Sequence, residues 1–371
     1  MKVGVDKIAY VVADLKRIGP TNQTLNIITN SGAIKNCVVI TLFKECKDTR
    51  IKDYRDTGIN VICLNLSRKN VLFIGASRLK ELLLKEKVKL VHSWGTFADI
   101  VSYYAVRKMD IPHVITLRCY PMEDAPTRMN PTVGYVLAMC VLHIYKHSNH
   151  IVACSKSIKE KMEKSYKWAN LTFIQNGVDT KHFKLLDYKE CRGKLSISDN
   201  EIVFISMGSM IQRKRIDETV DSFLASEIEN KRLLVLGDGV LFEKFKEKYQ
   251  DSKVEFLGKI EDVVPYLSAS DVFISSSESE GMPNAVLEAI ACGKPVLLSD
   301  IPQHKEVLDA LEGCGLLYHL GNKKELTKII SRMTKNTVNK MKSNCASIHN
   351  SDLVMTSMGK KYEKYYETIE R

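Results

Sequence analysis

The feature that most constrains this chain is a rhythm. Short, unbroken apolar runs alternate with helix-length segments, and the pattern plays through twice along 371 residues. In the first half the runs are 7–12 (KIAYVV), 37–43 (CVVITLF), 59–64, 89–93, 113–117, 150–155 and 171–175. In the second half they are 201–208 (EIVFISMG), 232–237, 254–258, 271–277, 295–300 and 315–319. A strand with one wet face alternates apolar with polar, whereas a strand covered on both faces reads as a continuous apolar run. Runs of the second kind, separated by helices, predict an α/β chain of two Rossmann-like, doubly wound parallel-sheet domains facing a cleft. Helical periodicity marks 70–87, 216–228, 241–249, 262–269, 284–292 and 323–333 among the intervening segments. The polar, aperiodic stretch 183–198 is expected to join domains at 1–182 and 183–345. The strandless end, 346–371, is expected to close in a helix that packs back on the first domain.

No run reaches the ~18 apolar residues that span a bilayer. Gly134 to Ile144 comes nearest, and His143, Lys146 and His147 close it off. The opening MKVGVDKIAYVV is interrupted by Asp6 and Lys7 and lacks a small-residue cleavage site, so no signal peptide is expected. Ten cysteines are scattered without a C-x-x-C pair, mostly inside apolar runs. That usage fits a reducing, cytoplasmic compartment and argues against a zinc site. Charge divides unevenly. Residues 1–182 hold 28 Lys+Arg against 15 Asp+Glu, a balance of +13, and the remainder holds 27 against 29, a balance of −2. A basic half suits a phosphorylated substrate or peripheral contact with an anionic inner membrane, and its bland alternative is a solvated lysine surface. Nucleic acid is disfavoured, because the basic residues are dispersed and not interleaved with aromatics.

The densest chemistry lies in 275–300, SSSESEGMPNAVLEAIACGKPVLLSD. A buried strand runs into the turn Gly281-Met282-Pro283-Asn284-Ala285, and a helix follows. Pro283 suits a position at or beside the helix start, Asn284 suits the cap or first turn, and Gly293 with Pro295 ends the helix. Backbone N–H groups at such a start, with the helix dipole behind them, suit a phosphate. Glu288 sits one turn beyond Asn284 on the same face. A carboxylate withdrawn from water costs several kcal/mol unless something pairs with it. A ribose diol would donate two hydrogen bonds to it; a lysine partner is the alternative. Glu280 can reach a second polyhydroxyl group from the loop, so the stretch reads as a nucleotide-sugar site.

Glu280-x7-Glu288, set in SEGMPNAVLEAIACGKPV and continuing through SDIPQHKEV, resembles the signature of retaining glycosyltransferase family four, of the GT-B fold. The resemblance is to members that build bacterial surface polysaccharides. It implies that Glu280 contacts the donor sugar, that Gly281 through Ala285 hold sugar and diphosphate, and that Glu288 holds the ribose. It extends to GSMIQRKRID, 208–217, which follows a strand. There, after Gly208, Lys214 stands where the family lysine neutralises the leaving diphosphate. Ser209 occupies the usual arginine position, leaving Arg213 or Arg215 to supply the charge. Lys259 and Ile260 fall where the base rests, and Gly19 of IGPTNQ falls where a glycine-rich loop approaches the donor phosphate. In TLRCYPMED, 116–124, Arg118 stands where many members carry histidine. An arginine there could hold the acceptor or a phosphate but cannot act as a general base. Glu123 belongs to the same segment, and His92 in VHSWG is left for an acceptor-contacting or orienting role.

These readings predict a retaining hexosyl transfer from a nucleoside-diphosphate sugar, with UDP the expected nucleotide. The acceptor would be a glycan or a lipid-diphosphate-linked glycan in O-antigen or capsule synthesis at the cytoplasmic face of the inner membrane. No D-x-D motif is present, so no metal is expected, and no cofactor is implied. The alternatives are a nucleotide-sugar epimerase of GT-B shape and a non-catalytic carbohydrate-binding protein. A dinucleotide oxidoreductase would need G-x-G-x-x-G after the first strand, where VVADLKRIG stands.

Overall fold

The structure, a computed structural model, describes residues 7–128 and 130–369. Residues 1–6, on which the signal-peptide reading partly rests, lie outside the described residues. The chain divides into two compact units. One extends up to Gly177 and takes in the segment from Met355 onward, and the other is Val178–Val354.

The first unit runs β1 (Ile8–Val12), α1 (Gly19–Asn30), β2 (Cys37–Phe43), α2 (Ile51–Asp56), β3 (Asn60–Leu66), α3 (Val71–Lys85) and β4 (Leu90–Ser93). It continues through α4 (Thr96–Val106), β5 (His113–Leu117), α5 (Pro121–Arg128), α6 (Pro131–Lys146), β6 (His150–Ala153), α7 (Lys156–Ser165) and β7 (Thr172–Phe173). The strands form one parallel sheet in the order β3-β2-β1-β4-β5-β6-β7. All of β1 and nearly all of β2 are buried, which is why both read as unbroken apolar runs.

The second unit runs α8 (Tyr188–Lys194), β8 (Ile202–Met207), α9 (Ile216–Leu224), β9 (Lys231–Leu236), α10 (Phe242–Lys248), β10 (Val254–Gly258), α11 (Val264–Ala269) and β11 (Val272–Ser275). It ends with α12 (Asn284–Ala291), β12 (Val296–Ser299), α13 (Pro302–Ala310), β13 (Gly315–Tyr318), α14 (Lys323–Ser331) and α15 (Lys335–Lys342). Its parallel sheet has the order β10-β9-β8-β11-β12-β13. The chain reverses its direction of winding between β1 and β4 in one sheet and between β8 and β11 in the other. Connecting loops diverge at such a switch point, and ligands bind there, outside the carboxyl ends of the strands.

Two segments differ from the sequence expectation. The stretch 183–198 is not merely a joint, because it contains α8. The Asp187 side chain caps that helix by accepting from the Glu190 amide at 2.7 Å. Arg192, 1 % exposed, then anchors it, bonding the carbonyls of Ser198 and Glu201 and pairing with Asp271 at 3.3 Å. Its charged sequence hid the helix, since of its two buried residues, Cys191 and Arg192, the larger is itself charged. The last helix, α16 (Met355–Ile369), belongs to the first unit, where it packs on α1. At Gly359 a Cβ would come within 2.5 Å of the Asn30 carbonyl, so only glycine permits this approach. Tyr362 and Tyr366 are buried there, and the Tyr366 hydroxyl meets that of Tyr10 on β1 at 3.2 Å.

Candidate active site

Beside the switch point of the second sheet, two strand ends touch. Gly208, after β8, has φ +147°, and Gly237, after β9, has φ +133°. A Cβ on Gly237 would lie 1.9 Å from the Gly208 carbonyl oxygen, so the crossing requires glycine. The following turn, with exposed Ser209 in it, throws Gln212–Lys214 over the carboxyl edge of the sheet as a short 3-10 turn. The Lys214 side chain lies back against Gly208.

The loop after β11 meets this turn. The Glu278 amide donates to the Arg213 carbonyl at 2.9 Å. Lys214 Nζ then lies 2.5 Å from Glu280 Oε1, while Arg213 Nη1 bonds the Ser279 carbonyl at 2.6 Å and reaches Glu280 Oε2 at 3.4 Å. Burial by itself would raise the Glu280 carboxyl, but the adjacent Lys214 and Arg213 charges outweigh it and hold the group at about 2. Of the two candidate arginines, Arg213 is the one beside Glu280. Arg215 has left-handed backbone, φ +47°, and turns toward Glu218 at 2.6 Å and Glu278 at 3.8 Å.

Helix α12 starts at Asn284 with Pro283 as its cap residue, one position earlier than Pro at the first helical position would place it. Gly293, at φ +70°, closes it. Gly281, Met282 and Pro283 are buried beneath this start, and Ala285 is half-buried on its first turn. Glu288 is half-buried one turn on, and no hydrogen-bond or ion-pair partner for its carboxyl is found among the described residues. Burial alone pushes it up to about 7. The lysine-pair alternative finds no support, since the buried Lys294 ammonium is held by the carbonyls of Ser268 and Ser270 at 3.0 and 2.9 Å. Gly258, whose carbonyl accepts from the Gly237 amide at 2.7 Å, leads into exposed Lys259 and half-buried Ile260 at the same sheet edge.

Sequence reasoning passed over His304. Its Nδ1 lies 2.9 Å from the Ser299 carbonyl, to which only an N–H can donate, so Nε2 is left as an acceptor. That Nε2 is fully buried and has no partner among the described residues. Burial pushes the imidazole down to about 4, against the pull of the Glu280 charge. The signal was its place in PQH, just beyond the quoted loop, but only the fold of α13 against β12 gives that place a meaning.

The first unit gathers its own group at the carboxyl edge. Gly19 is the first residue of α1. Arg118, half-buried at the end of β5, reaches Thr24 of α1 at 3.4 Å and lies over the Trp94 ring, 5.2 Å from its centroid. Its Nε and Nη1 are buried without partners among the described residues. Glu123 pairs with Lys161 on the surface. His92 sits in the core, 2 % exposed, with Nδ1 at 2.7 Å from the Tyr366 hydroxyl and Nε2 at 2.6 Å from Thr116. Both ring nitrogens are taken, so the geometry leaves none for an acceptor and corrects that half of its expected role.

Two family models match the chain. Residues 36–182 match Glycosyltransferase Family 4, and residues 187–348 match Glycosyl transferases group 1. The chain belongs to the GT-B glycosyltransferases. An O-antigen biosynthesis glycosyltransferase of Escherichia coli is 26% identical over 98% of this chain and 99% of its own. The Escherichia coli UDP-Gal:alpha-D-GlcNAc-diphosphoundecaprenol alpha-1,3-galactosyltransferase is 26% identical over 81% of this chain and 82% of its own. Among solved structures, Anabaena HepE in complex with UDP and glucose shares the fold with a TM-score of 0.83 at 18% identity, covering 98% of this chain and 99% of that one. This glycosyltransferase thus pairs two parallel-sheet α/β units, each with a polar cluster at the carboxyl edge of its sheet. Among the described residues no group of three or more His, Cys, Asp and Glu is placed to hold a metal ion. No helix of the described residues is long and apolar enough to cross a membrane.

Proposed function

We propose that this glycosyltransferase transfers a hexosyl group, with retention, from a UDP-sugar to a glycan or lipid-diphosphate-linked acceptor in bacterial surface-polysaccharide synthesis. One observation carries the donor side. Lys214 and Arg213 meet Glu280 on the loop after β11, and Glu288 lies one turn into the helix that this loop starts, at the switch point of the second sheet. The unpartnered Glu288 carboxyl suits a ribose diol, and Gly281 through Ala285 bring the helix start to the diphosphate. Lys214 and Arg213 neutralise the charge that grows on the leaving diphosphate. Such preorganised charge acts more strongly in the transition state than in the ground state.

Without donor, Glu280 itself occupies the two cations. A diphosphate competes for them, and the released carboxylate then accepts hydroxyls of the sugar. Retention by front-face return is what the family resemblance implies. The first unit takes the acceptor role in this reading. The unpaired Nε and Nη1 of Arg118 suit a phosphate or carboxylate of the acceptor. The +13 balance of 1–182 suits work at the anionic cytoplasmic face of the inner membrane. The two Escherichia coli relatives support the O-antigen setting, and one of them is named for a diphosphoundecaprenol acceptor.

The test is incubation of the purified protein with a panel of UDP-, GDP- and dTDP-sugars, with and without a synthetic lipid-diphosphate acceptor, followed by NMR of the anomeric centre. A UDP-sugar should be consumed slowly alone and faster with acceptor, giving product of the donor's own anomeric configuration. Inversion would remove the retaining assignment, and release of an epimerised free sugar without need of acceptor would replace transfer by epimerisation.

A further inference from the structure

We infer that the outer face of α3, α4 and α6 is a docking surface for an anionic lipid bilayer, a partner surface that rests on the proposed reaction at a membrane-linked acceptor. An open groove of about 640 Å³ runs between these helices with an apolar lining. Large apolar side chains stand in solvent around it: Phe73 is 85 % exposed, Val136 and Met139 are each 59 % exposed, and Leu72, Tyr104 and Tyr135 are also exposed. An apolar patch of this extent is not kept in water without a use.

Charge selects the occupant. Arg68 and Lys69 precede α3, Arg107 and Lys108 close α4, and Lys146 closes α6, all exposed. Helix α6 carries no acidic residue. The single acid of α4, Asp99, is buried against Ser93 and Tyr145 and adds no negative charge to the surface. The helices run antiparallel to the strands they connect. Arg68 and Lys69 therefore lie at one end of the groove, and Arg107, Lys108 and Lys146 lie at the other. An apolar strip with cations at both ends matches a leaflet whose acyl boundary takes the side chains and whose anionic headgroups take the charges. A two-fold pairing with a second copy would instead lay each basic rim near its own likeness. The α3 end, with Leu72 and Phe73, lies at the carboxyl edge of the sheet.

The test uses the full chain in flotation with phosphatidylcholine vesicles and with vesicles carrying about one-third phosphatidylglycerol. Binding to the anionic vesicles alone is expected, weakening as salt rises toward about 0.5 M. The pair Val136→Asp with Met139→Asp, and separately Arg107→Glu with Lys108→Glu, should each lower partitioning about tenfold or more. Their unfolding temperatures should stay within about 2 °C of the parent, since these positions are exposed. Absence of flotation, or flotation unchanged in the aspartate pair, overturns the proposal. So does a dimer in sedimentation that the aspartate pair dissolves. Transfer from a UDP-sugar to a water-soluble acceptor, assayed on the same wild-type sample, separates the two ideas. A protein that transfers but does not float loses only the membrane surface, and one that floats but consumes no donor loses the transferase reading.

Discussion

Lys214 Nζ stands 2.5 Å from Glu280 Oε1, so the cation expected to meet the leaving diphosphate and the carboxylate expected to meet the sugar are each other's partners before donor arrives. The Lys214 charge keeps the Glu280 carboxyl ionised in a half-buried place, and Arg213 supports it from the second oxygen. Replacing Lys214 by Ala removes a transition-state interaction and leaves Glu280 facing Arg213. Turnover should fall about 10²–10³-fold, the range seen when one such donor is lost. The fold should survive, as read by circular dichroism. Steady-state rates at saturating donor check it, and unchanged kcat would remove Lys214 from the chemistry.

Glu288 makes donor binding depend on pH. Its carboxyl sits at about 7 through burial, above its ordinary 4.5. A ribose diol donates to the ionised form, so calorimetric affinity for UDP should rise between pH 6 and pH 8, and Glu288→Gln should bind more weakly and flatten the rise.

The same shift acts on stability with the opposite preference. Because the folded value is raised, the fold favours the protonated acid. The contribution is fully present below about 4.5 and is lost as pH rises through about 7, a swing on the order of 3 kcal/mol. Without nucleotide, Glu288→Gln should therefore melt above the parent at pH 8 and close to it at pH 5. Equal melting at both would show that the carboxyl is not withdrawn from water.

Arg118 holds two buried guanidinium nitrogens, Nε and Nη1, that no partner among the described residues satisfies. Such groups cost free energy in the empty protein, so Arg118→Ala should not lower the melting temperature. Transfer to acceptor should fall at least about tenfold, while calorimetric UDP affinity stays within about twofold. Arg118→Lys should restore little, because an ammonium lacks the planar fork. Full transfer by the alanine variant would separate Arg118 from the acceptor.

His92 contributes to stability. Burial holds its imidazole well below the ordinary 6.5, hence neutral, with Thr116 and Tyr366 on its two nitrogens. His92→Phe should cost about 1–3 kcal/mol in urea unfolding near pH 7.5. A buried neutral histidine has a depressed folded value, so its stabilisation fades as pH drops below about 6.5. The gap between variant and parent should narrow at pH 5. A gap that widens there would mean the ring is charged in the fold.

Much of this protein is written locally. Each apolar run chosen by its pattern forms a strand, although 171–175 keeps only Thr172–Phe173 in the sheet. Burial on both faces removes polar residues from the strands themselves, so the signal needs no knowledge of neighbours. The loop before α12 is legible for a similar reason: Pro283, Asn284 and Gly293 act through backbone geometry within a few residues. Partners far along the chain are not legible in that way. Arg213 rather than Arg215 meets Glu280 because Arg215 takes the left-handed conformation that starts α9, which turns its side chain toward Glu218. Lys214 and Glu280 are 66 residues apart and meet only because β8 lies beside β11. His92 loses its freedom to a tyrosine 274 residues away. The sequence alone determined which segments become strands and which loop carries acids, since burial and turn chemistry act on near neighbours. The tertiary structure alone decided which of those charges are paired and which stay open for a ligand, since strand order brings distant side chains to one edge.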